Sequence, residues 1–425
     1  MANVSAQSDE NQHLFIVENI SLEGNTKTKD NVIFENLSFG IGDTLTENNI
    51  NEGIERLNDL EIFSDVSMQP RLGSKPGMLD IVLQIEERYW PHFRFKGGYS
   101  ELDGWFITPV SLNMDNIFGL GNFISLDLTL GDRITAVNLN YINTNIFEND
   151  LDFISRISSR NLNFVHYFEN RWILPVEQGS VFFGFRSNEG FFKNFTFGVE
   201  IYTTKTDTFA WRYDSDDRLY DFPPEIGNFT GNSIKSALFK IDFNFDRRDQ
   251  LYYPTMGWWI GSRIDLADTQ LGSDLNFTRF IVDLRKYQTL YKKFILAGRI
   301  KYGHISYDAP FFEKFYLGGP NSLRGFNDRS LSPVGGGNQL YQADVELRFP
   351  ITQKNYPKHL LSGVLFLDSG TNVYSQDFFT VKQWESALGF GLRLRLPFLG
   401  IVRADIAKPL NGDEKKIQFS LGHTF

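Results

Sequence analysis

The sequence predicts an all-β transmembrane barrel of about sixteen antiparallel strands, preceded by a small α+β domain. Three observations predict it. From Trp90 onward, segments of about ten residues alternate apolar and polar side chains, the period and length of a tilted membrane strand. Aromatic residues make up 15% of the chain, with 41 Phe, an excess that an outward apolar surface accommodates. No stretch reaches the roughly 18 uninterrupted apolar residues of a membrane helix, which leaves a barrel open because barrel strands are short and alternate.

Composition narrows the function classes. The chain has no Cys, which removes disulfides, thiolate zinc sites and Cys nucleophiles together. A net charge of -10, with no basic patch interleaved with aromatics, argues against nucleic acid as a partner. The six His, at 13, 92, 166, 304, 359 and 423, fall in no metal-ligand spacing. "GFG" (389–391) and "GGG" (335–337) neither follow a strand nor open a helix, and there is no G-x-S-x-G elbow. No metal, no cofactor and no enzymatic activity are therefore expected. Gly389 and Gly391 are expected to let a strand bend or approach a neighbour.

Residues 1–12 are expected to be a disordered tail or linker, polar and without the apolar centre of a signal peptide. An exported protein would then be a mature form or a fragment with a start Met. A small domain follows over residues 13–88. "LFIVENISLEGN" (14–25) reads as a strand ending in a Gly-Asn turn. Residues 26–39 read as a short helix with Val32, Ile33, Phe34 and Leu37 available for burial. Residues 46–63 read as a second helix, capped by Thr46, with Ile50, Ile54, Leu57 and Leu60 on one face. "FSDVSMQPRL" and "GMLDIVLQIEER" read as two strands joined by "GSKPG". The order is β-α-α-β-β.

Residues 90–425 read as the barrel. Candidate strands centre near 95, 110, 126, 138, 156, 183, 197, 239, 261, 282, 298, 344, 366, 391, 404 and 421, an even number as single-chain barrels need. In "LYQADVELRFP" (340–350), Tyr341, Ala343, Val345, Leu347 and Phe349 oppose Gln342, Asp344, Glu346 and Arg348. Trp258, Trp259, Tyr291 and Tyr302 are expected to face outward as interfacial girdles. Long loops are expected at 164–177, 204–232, 304–338 and 371–383. All are odd-to-even connections, hence on one side.

The loop 304–338 contains "FYLGGPNSLRGF". Gly318, Gly319, Pro320 and Gly325 break any regular element, yet Leu323 and Phe326 are apolar. Glu346 and Asp368 lie on the polar faces of their strands. If the loop folds into the lumen, Arg324 can bridge both carboxylates with its planar fork of donors, while Leu323 and Phe326 pack on the wall.

Several motifs carry a family resemblance. "V-x-x-I-x-x-x-G-N" (Val17 to Asn25), "L-x-x-x-x-I-F-S-D-V" (Leu57 to Val66) and "LDIVLQIEER" resemble a POTRA domain, the periplasmic module before certain outer-membrane barrels. "FDRRDQLYYPTMG" (245–257) resembles a family turn motif at Asp246, Arg248, Asp249, Pro254 and Gly257, in which the acids and the arginine can pair across a turn. "GGPNSLRGF", "LFLDSG" (365–370) and "ADVELRFPI" (343–351) follow. "KKIQFSLGHTF" ends the chain as a C-terminal recognition strand would, at Phe419, Leu421, His423 and Phe425. Together these resemble the BamA/TamA superfamily of outer-membrane assembly and translocation barrels, as a single-POTRA member.

The resemblance implies a protein-transport barrel in the bacterial outer membrane, with its POTRA domain in the periplasm. It implies lipid and extended polypeptide clients as partners, with periplasmic chaperones or accessory proteins, and an oligomer as an open question. It also implies a weak seam between the first and last strands, to which Gly97, Gly98 and Gly422 contribute. Three other readings stay open. They are the translocator half of a patatin-like autotransporter with a fused passenger, the barrel of the mitochondrial sorting machinery, and a passive porin.

Overall fold

Strong alternation and turn chemistry lead to two compact units in the computed structural model. It describes residues 15–59, 62–88, 92–93, 96–100, 104–117, 119–131, 134–144, 151–168, 170–187, 194–212, 215–250, 253–352, 360–377, 384–396, 400–412 and 414–421.

The first unit is built on β1 (Phe15–Glu23), α1 (Asp30–Glu35), β2 (Thr44–Leu45), α2 (Glu47–Asp59), β3 (Phe63–Leu72) and β4 (Met78–Glu87). Its four-stranded sheet runs β2-β1-β4-β3, with β1 and β4 parallel. Val17, Ile33, Leu57, Ile81 and Leu83 form the core, where the helices lie on one face of the sheet. The Thr46 hydroxyl accepts from the Asn49 amide at 3.2 Å and so caps α2. Two expectations fail here. Phe34 is exposed, because a six-residue helix has room for only one buried stripe, taken by Val32 and Ile33. The two-residue β2 was not anticipated, since so short a strand has no period to read. Leu60 lies outside the described residues.

A carboxylate closes this unit. Glu87 accepts from the amides of Lys27 (3.0 Å) and Thr28 (2.6 Å) and from the hydroxyls of Thr26 (2.7 Å) and Thr28 (2.6 Å). Burial pushes its pKa up, but the hydrogen bonds from Thr28, Thr26 and Lys27 outweigh that and hold it below the usual carboxylate value. The unit also includes residues 113–124 and 142–144, and there Asn116 Nδ2 donates to Thr28 Oγ1 at 2.6 Å.

The second unit holds most of a sheet closed on itself. Its strands are β5 (His92–Phe93), β6 (Lys96–Ser100), β7 (Gly104–Asp115), β8 (Phe123–Gly131), β9 (Thr135–Asn143), β10 (Leu151–Phe168), β11 (Asn170–Ser187), β12 (Thr196–Thr206), β13 (Ala210–Arg212), β14 (Arg218–Leu219), β15 (Ser233–Asp246), β16 (Gly257–Ala267), β17 (Phe277–Thr289), β18 (Ile295–Ile305), β19 (Gln339–Pro350), β20 (Leu361–Val373), β21 (Glu385–Leu396), β22 (Gly400–Pro409) and β23 (Lys416–Leu421). Neighbours in chain order pair throughout, and β23 closes on β5 and β6. β12 pairs directly with β15, leaving β13 and β14 as a ribbon beside β11. Counting β5 and β6 as one interrupted strand and setting that ribbon aside, sixteen strands make the wall among the described residues.

Alternation decides the two faces. Val345, Leu365, Leu367, Leu388, Phe390 and Ile300 are exposed, whereas Gln342, Asp344, Glu346, Arg348 and Asp368 are buried. Apolar side chains outside and charges inside are what a lipid-facing wall requires. Trp258 and Tyr291 are exposed as expected. Trp259 is a correction. Adjacent strand residues point to opposite faces, so with Trp258 outward Trp259 turns inward, its ring 4.1 Å from the Arg285 guanidinium.

The expected loop at 164–177 is also corrected. β10 and β11 pair residue by residue from Leu151↔Ser187 to Phe168↔Asn170. Both faces of the hairpin's far end are covered. Phe164, Trp172, Leu174 and Val176 pack with Phe311 and with Ile226 of α3 (Pro224–Gly227), so polarity no longer alternates there.

Replacing Glu87 tests the first unit. Glu87→Gln should speed amide exchange in the segment 26–30 and destabilise the unit by on the order of 1 kcal/mol at pH 7, a figure kept small by the solvent-facing side of the carboxylate. Because the native pKa is lowered, the contribution is present above the ordinary carboxylate pKa and fades as pH falls through the native one. Wild type and variant should therefore converge in acid, as read by hydrogen exchange across pH 3 to 7.

Candidate functional site

Between β18 and β19, residues 306–338 form a long connection that carries the candidate site. Its base is pinched by a Phe315–Gly337 bridge, with amide-to-carbonyl distances of 2.9 and 3.0 Å. Asn372 Nδ2 donates to the Phe315 carbonyl at 2.7 Å. Gly318 and Gly319 take left-handed backbone at the turn before the tip. Gly325 also has positive φ (89°), and a Cβ there would stand 3.2 Å from the Ala387 and Ala407 methyls. The tip thus needs glycine for both conformation and close approach.

This geometry sets Arg324 among the inward side chains of β19 and β20. Its Nε and Nη2 donate to the two oxygens of Asp368, each at 2.6 Å, and Nη1 donates to Glu346 Oε1 at 2.8 Å. Its backbone amide adds a bond to Asp368 at 3.2 Å. The guanidinium lies 3.4 Å from the centroid of the Phe366 ring. All three charged side chains have zero exposure. Bidentate pairing of this kind is the strong form of the ion pair, and burial makes each partner depend on the other. Among the described residues, every hydrogen bond to the Asp368 carboxylate comes from Arg324.

Further residues join that were not singled out from the sequence. Arg348 Nε donates to the other oxygen of Glu346 at 2.8 Å. Arg393 pairs with Asp405 at 2.6 Å, and Asp405 lies 4.0 Å from Arg324. Arg403 donates to Asn321 in the loop. Four buried guanidinium groups (324, 348, 393, 403) thus interleave with three carboxylates (346, 368, 405). Arg348 was legible as part of the polar face of β19. Asp405 and Arg403 were not, because no sequence spacing ties β22 to the loop.

Gly389 and Gly391 have a use here. A Cβ at 391 would collide with the Asp405 carboxylate and the Arg393 head, and one at 389 with the Phe366 ring. They clear space inside the wall for a packed charge cluster.

The last strand also holds the loop. Gly325 N donates to Gln418 Oε1 at 2.9 Å, and Gln418 Nε2 donates to the Phe326 carbonyl at 2.8 Å. Ser420 reaches Asn321 at 2.9 Å. Leu323 is fully buried among Leu317, Leu340 and Ala387, and Phe326 packs beside it. In the same strand Phe419 is exposed and pairs with Ala404, and Leu421 pairs with Val402. His423, Phe425 and Gly422 lie outside the described residues.

The 245–257 motif forms a separate turn. Arg248 folds back on Asp246, at 2.8 Å and 2.5 Å. The sequence suggested that Asp249 would pair with Arg248 as well, and it does not. It accepts instead from the Thr255 and Met256 amides (2.8 and 3.1 Å) and the Thr255 hydroxyl, closing the turn around the buried Pro254. Gly257 takes positive φ (109°) at its end.

Comparison with known proteins agrees with this architecture. A family model described as the Omp85 superfamily domain matches residues 116–425, and a POTRA model described as a surface antigen variable number repeat matches residues 15–88. The outer membrane protein assembly factor BamA of Nitratidesulfovibrio vulgaris is 26% identical over 96% of this chain and 51% of its own length. That of Neisseria meningitidis serogroup B is 23% identical over 79% of this chain and 44% of its own. The chain spans about half the length of the curated relatives it matches. Among solved structures, BamA from Haemophilus ducreyi lacking POTRA domains 1-3 superposes with a TM-score of 0.75 at 20% identity, covering 96% of this chain and 83% of that one. CdiB from Acinetobacter baumannii gives 0.57 at 14% identity, covering 97% and 74%.

Coupling at the site is measurable. Arg324→Ala and Asp368→Asn should each destabilise the folded barrel by about 3–5 kcal/mol, because each strands a buried charge or its donors. The double variant should be little worse than either alone, as read from midpoints of heat-modifiable mobility in detergent. Fully additive losses would show that the two side chains act separately.

Proposed function

The chain belongs to the Omp85 superfamily, and on that membership we propose that it is an outer-membrane barrel that assists the insertion or translocation of polypeptides. The POTRA domain lies on the periplasmic side and receives extended chain by adding it to a sheet edge. The barrel offers a route or a template into the membrane. The observation that carries this reading is the loop 306–338, fixed against β19 and β20 by Arg324, Glu346 and Asp368 and against β23 by Gln418. A passive pore needs no such strap, nor an upstream peptide-binding module.

In this reading Arg324, Glu346 and Asp368 lock the loop to the lumen wall. Because Gln418 and Ser420 belong to β23, the strand that closes on β5 and β6, the loop also bears on the seam. An incoming strand adds at that seam by edge pairing, and the loop's grip on β23 sets how readily it parts. The clients are unfolded polypeptides of barrel type, recognised through backbone pairing rather than through a side-chain pocket.

The test is reconstitution of the purified chain into phospholipid vesicles, followed by addition of an unfolded, unrelated outer-membrane barrel. Folding of that client, read by heat-modifiable mobility, should be several-fold faster than in protein-free vesicles, and Arg324→Ala should abolish the gain. Vesicles that pass small sugars but leave the client's rate unchanged would identify a porin. Export restricted to a passenger fused ahead of residue 15 would identify an autotransporter translocator. Either result overturns the proposal.

A further inference from the structure

The loop's first limb carries a second buried charge, far from Arg324 in bonding terms. Glu313 follows the turn at Pro310 and is 7% exposed. Tyr202 of β12 donates its hydroxyl to Glu313 Oε1 at 2.7 Å. Arg279 of β17 donates to Oε2 at 2.6 Å and reaches the Glu313 carbonyl at 3.4 Å. Arg279 is itself held by Asp265, its direct partner across β16 and β17, with Nε to Oδ2 at 2.7 Å. Asp265 and Tyr202 are buried. Ala309, Phe315 and Leu317 pack with Tyr202, Leu238 and Phe277 around this contact, which keeps it out of water.

We propose that Glu313 is a second, independent anchor of the loop, tying its first limb to the wall of β12, β16 and β17. The bonded partners of Glu313 (Tyr202 and Arg279) and of Arg324 (Glu346 and Asp368) share no residue. The Gly318–Gly319–Pro320 turn lies between them in the chain. The two limbs of the loop are therefore held by separate buried charges, beside the neutral contacts of Asn372 and Gln418. Breaking one charged anchor loosens its own limb, and clearing the lumen requires the release of both. A buried carboxylate that loses its donors carries a large desolvation penalty, so each anchor resists release by itself.

This inference does not depend on what passes the barrel, and its test uses no client. Hydrogen exchange is followed in the full chain, folded in detergent and checked for heat-modifiable mobility. Glu313→Gln should raise exchange of the bonded amides of Glu313, Lys314 and Phe315 about tenfold, while those of Arg324 and Gly325 stay as in wild type. Arg324→Ala should show the reverse. Should Glu313→Gln fail to fold, Tyr202→Phe decides, since it removes one hydrogen bond and keeps the Arg279 pair. It should loosen the same limb to a smaller degree. Loosening of both limbs together, or of neither, overturns the proposal, and leaves the reading of function standing.

Discussion

One buried guanidinium organises this barrel. Arg324 enters a water-free site only because two carboxylates already point there, and those carboxylates tolerate burial only because Arg324 arrives. Asp344 and Asp368 face each other directly across β19 and β20, a like-charge pairing that opposes sheet formation by itself. Arg324 takes one of them. Gln342 takes the other at 2.9 Å, with Arg299 at 3.8 Å. The wall and the loop thus complete one another, and neither half is electrostatically sound alone.

Space is the second half of the constraint. Arginines at 348, 393 and 403 crowd the same stretch of wall, and Arg393 and Arg403 are direct cross-strand partners. Such crowding is tolerable where carboxylates interleave and where neighbouring strands supply no side chain. Gly389 and Gly391 supply that vacancy beside Ala387 and Ala407. Small residues on β21 and β22 are therefore part of the charge design, and a methyl group added at Gly389 or Gly391 would overpack the cluster at a cost of about 1–3 kcal/mol.

How far the sequence can be read follows from the same physics. Strands with lipid on one face and water or charge on the other keep period two, and β15 to β22 were legible for that reason. Where the environment becomes the same on both sides, the period vanishes. The end of the β10–β11 hairpin buries Phe164, Val165 and His166 in succession, and a run of that kind looked like a loop. At the site, Arg324, Glu346 and Asp368 were legible because an arginine in a glycine-broken loop needs acids, and two strands offered them at inward positions. Glu313 carried no such signal. Its surroundings come from three strands, with Tyr202 111 residues and Arg279 34 residues away in the chain, and only closure of the sheet brings them together.

The β10–β11 hairpin has a consequence of another kind. A tilted strand crosses a bilayer in about ten residues, and each arm of this hairpin has eighteen. Roughly the eight residues of each arm nearest the turn extend beyond that length, on the same side as the loop 306–338 and propped by Phe311. On an outward-facing side, this finger offers a surface that an antibody or a phage can reach. A short peptide spliced into its turn would report surface display without touching the cluster at Arg324.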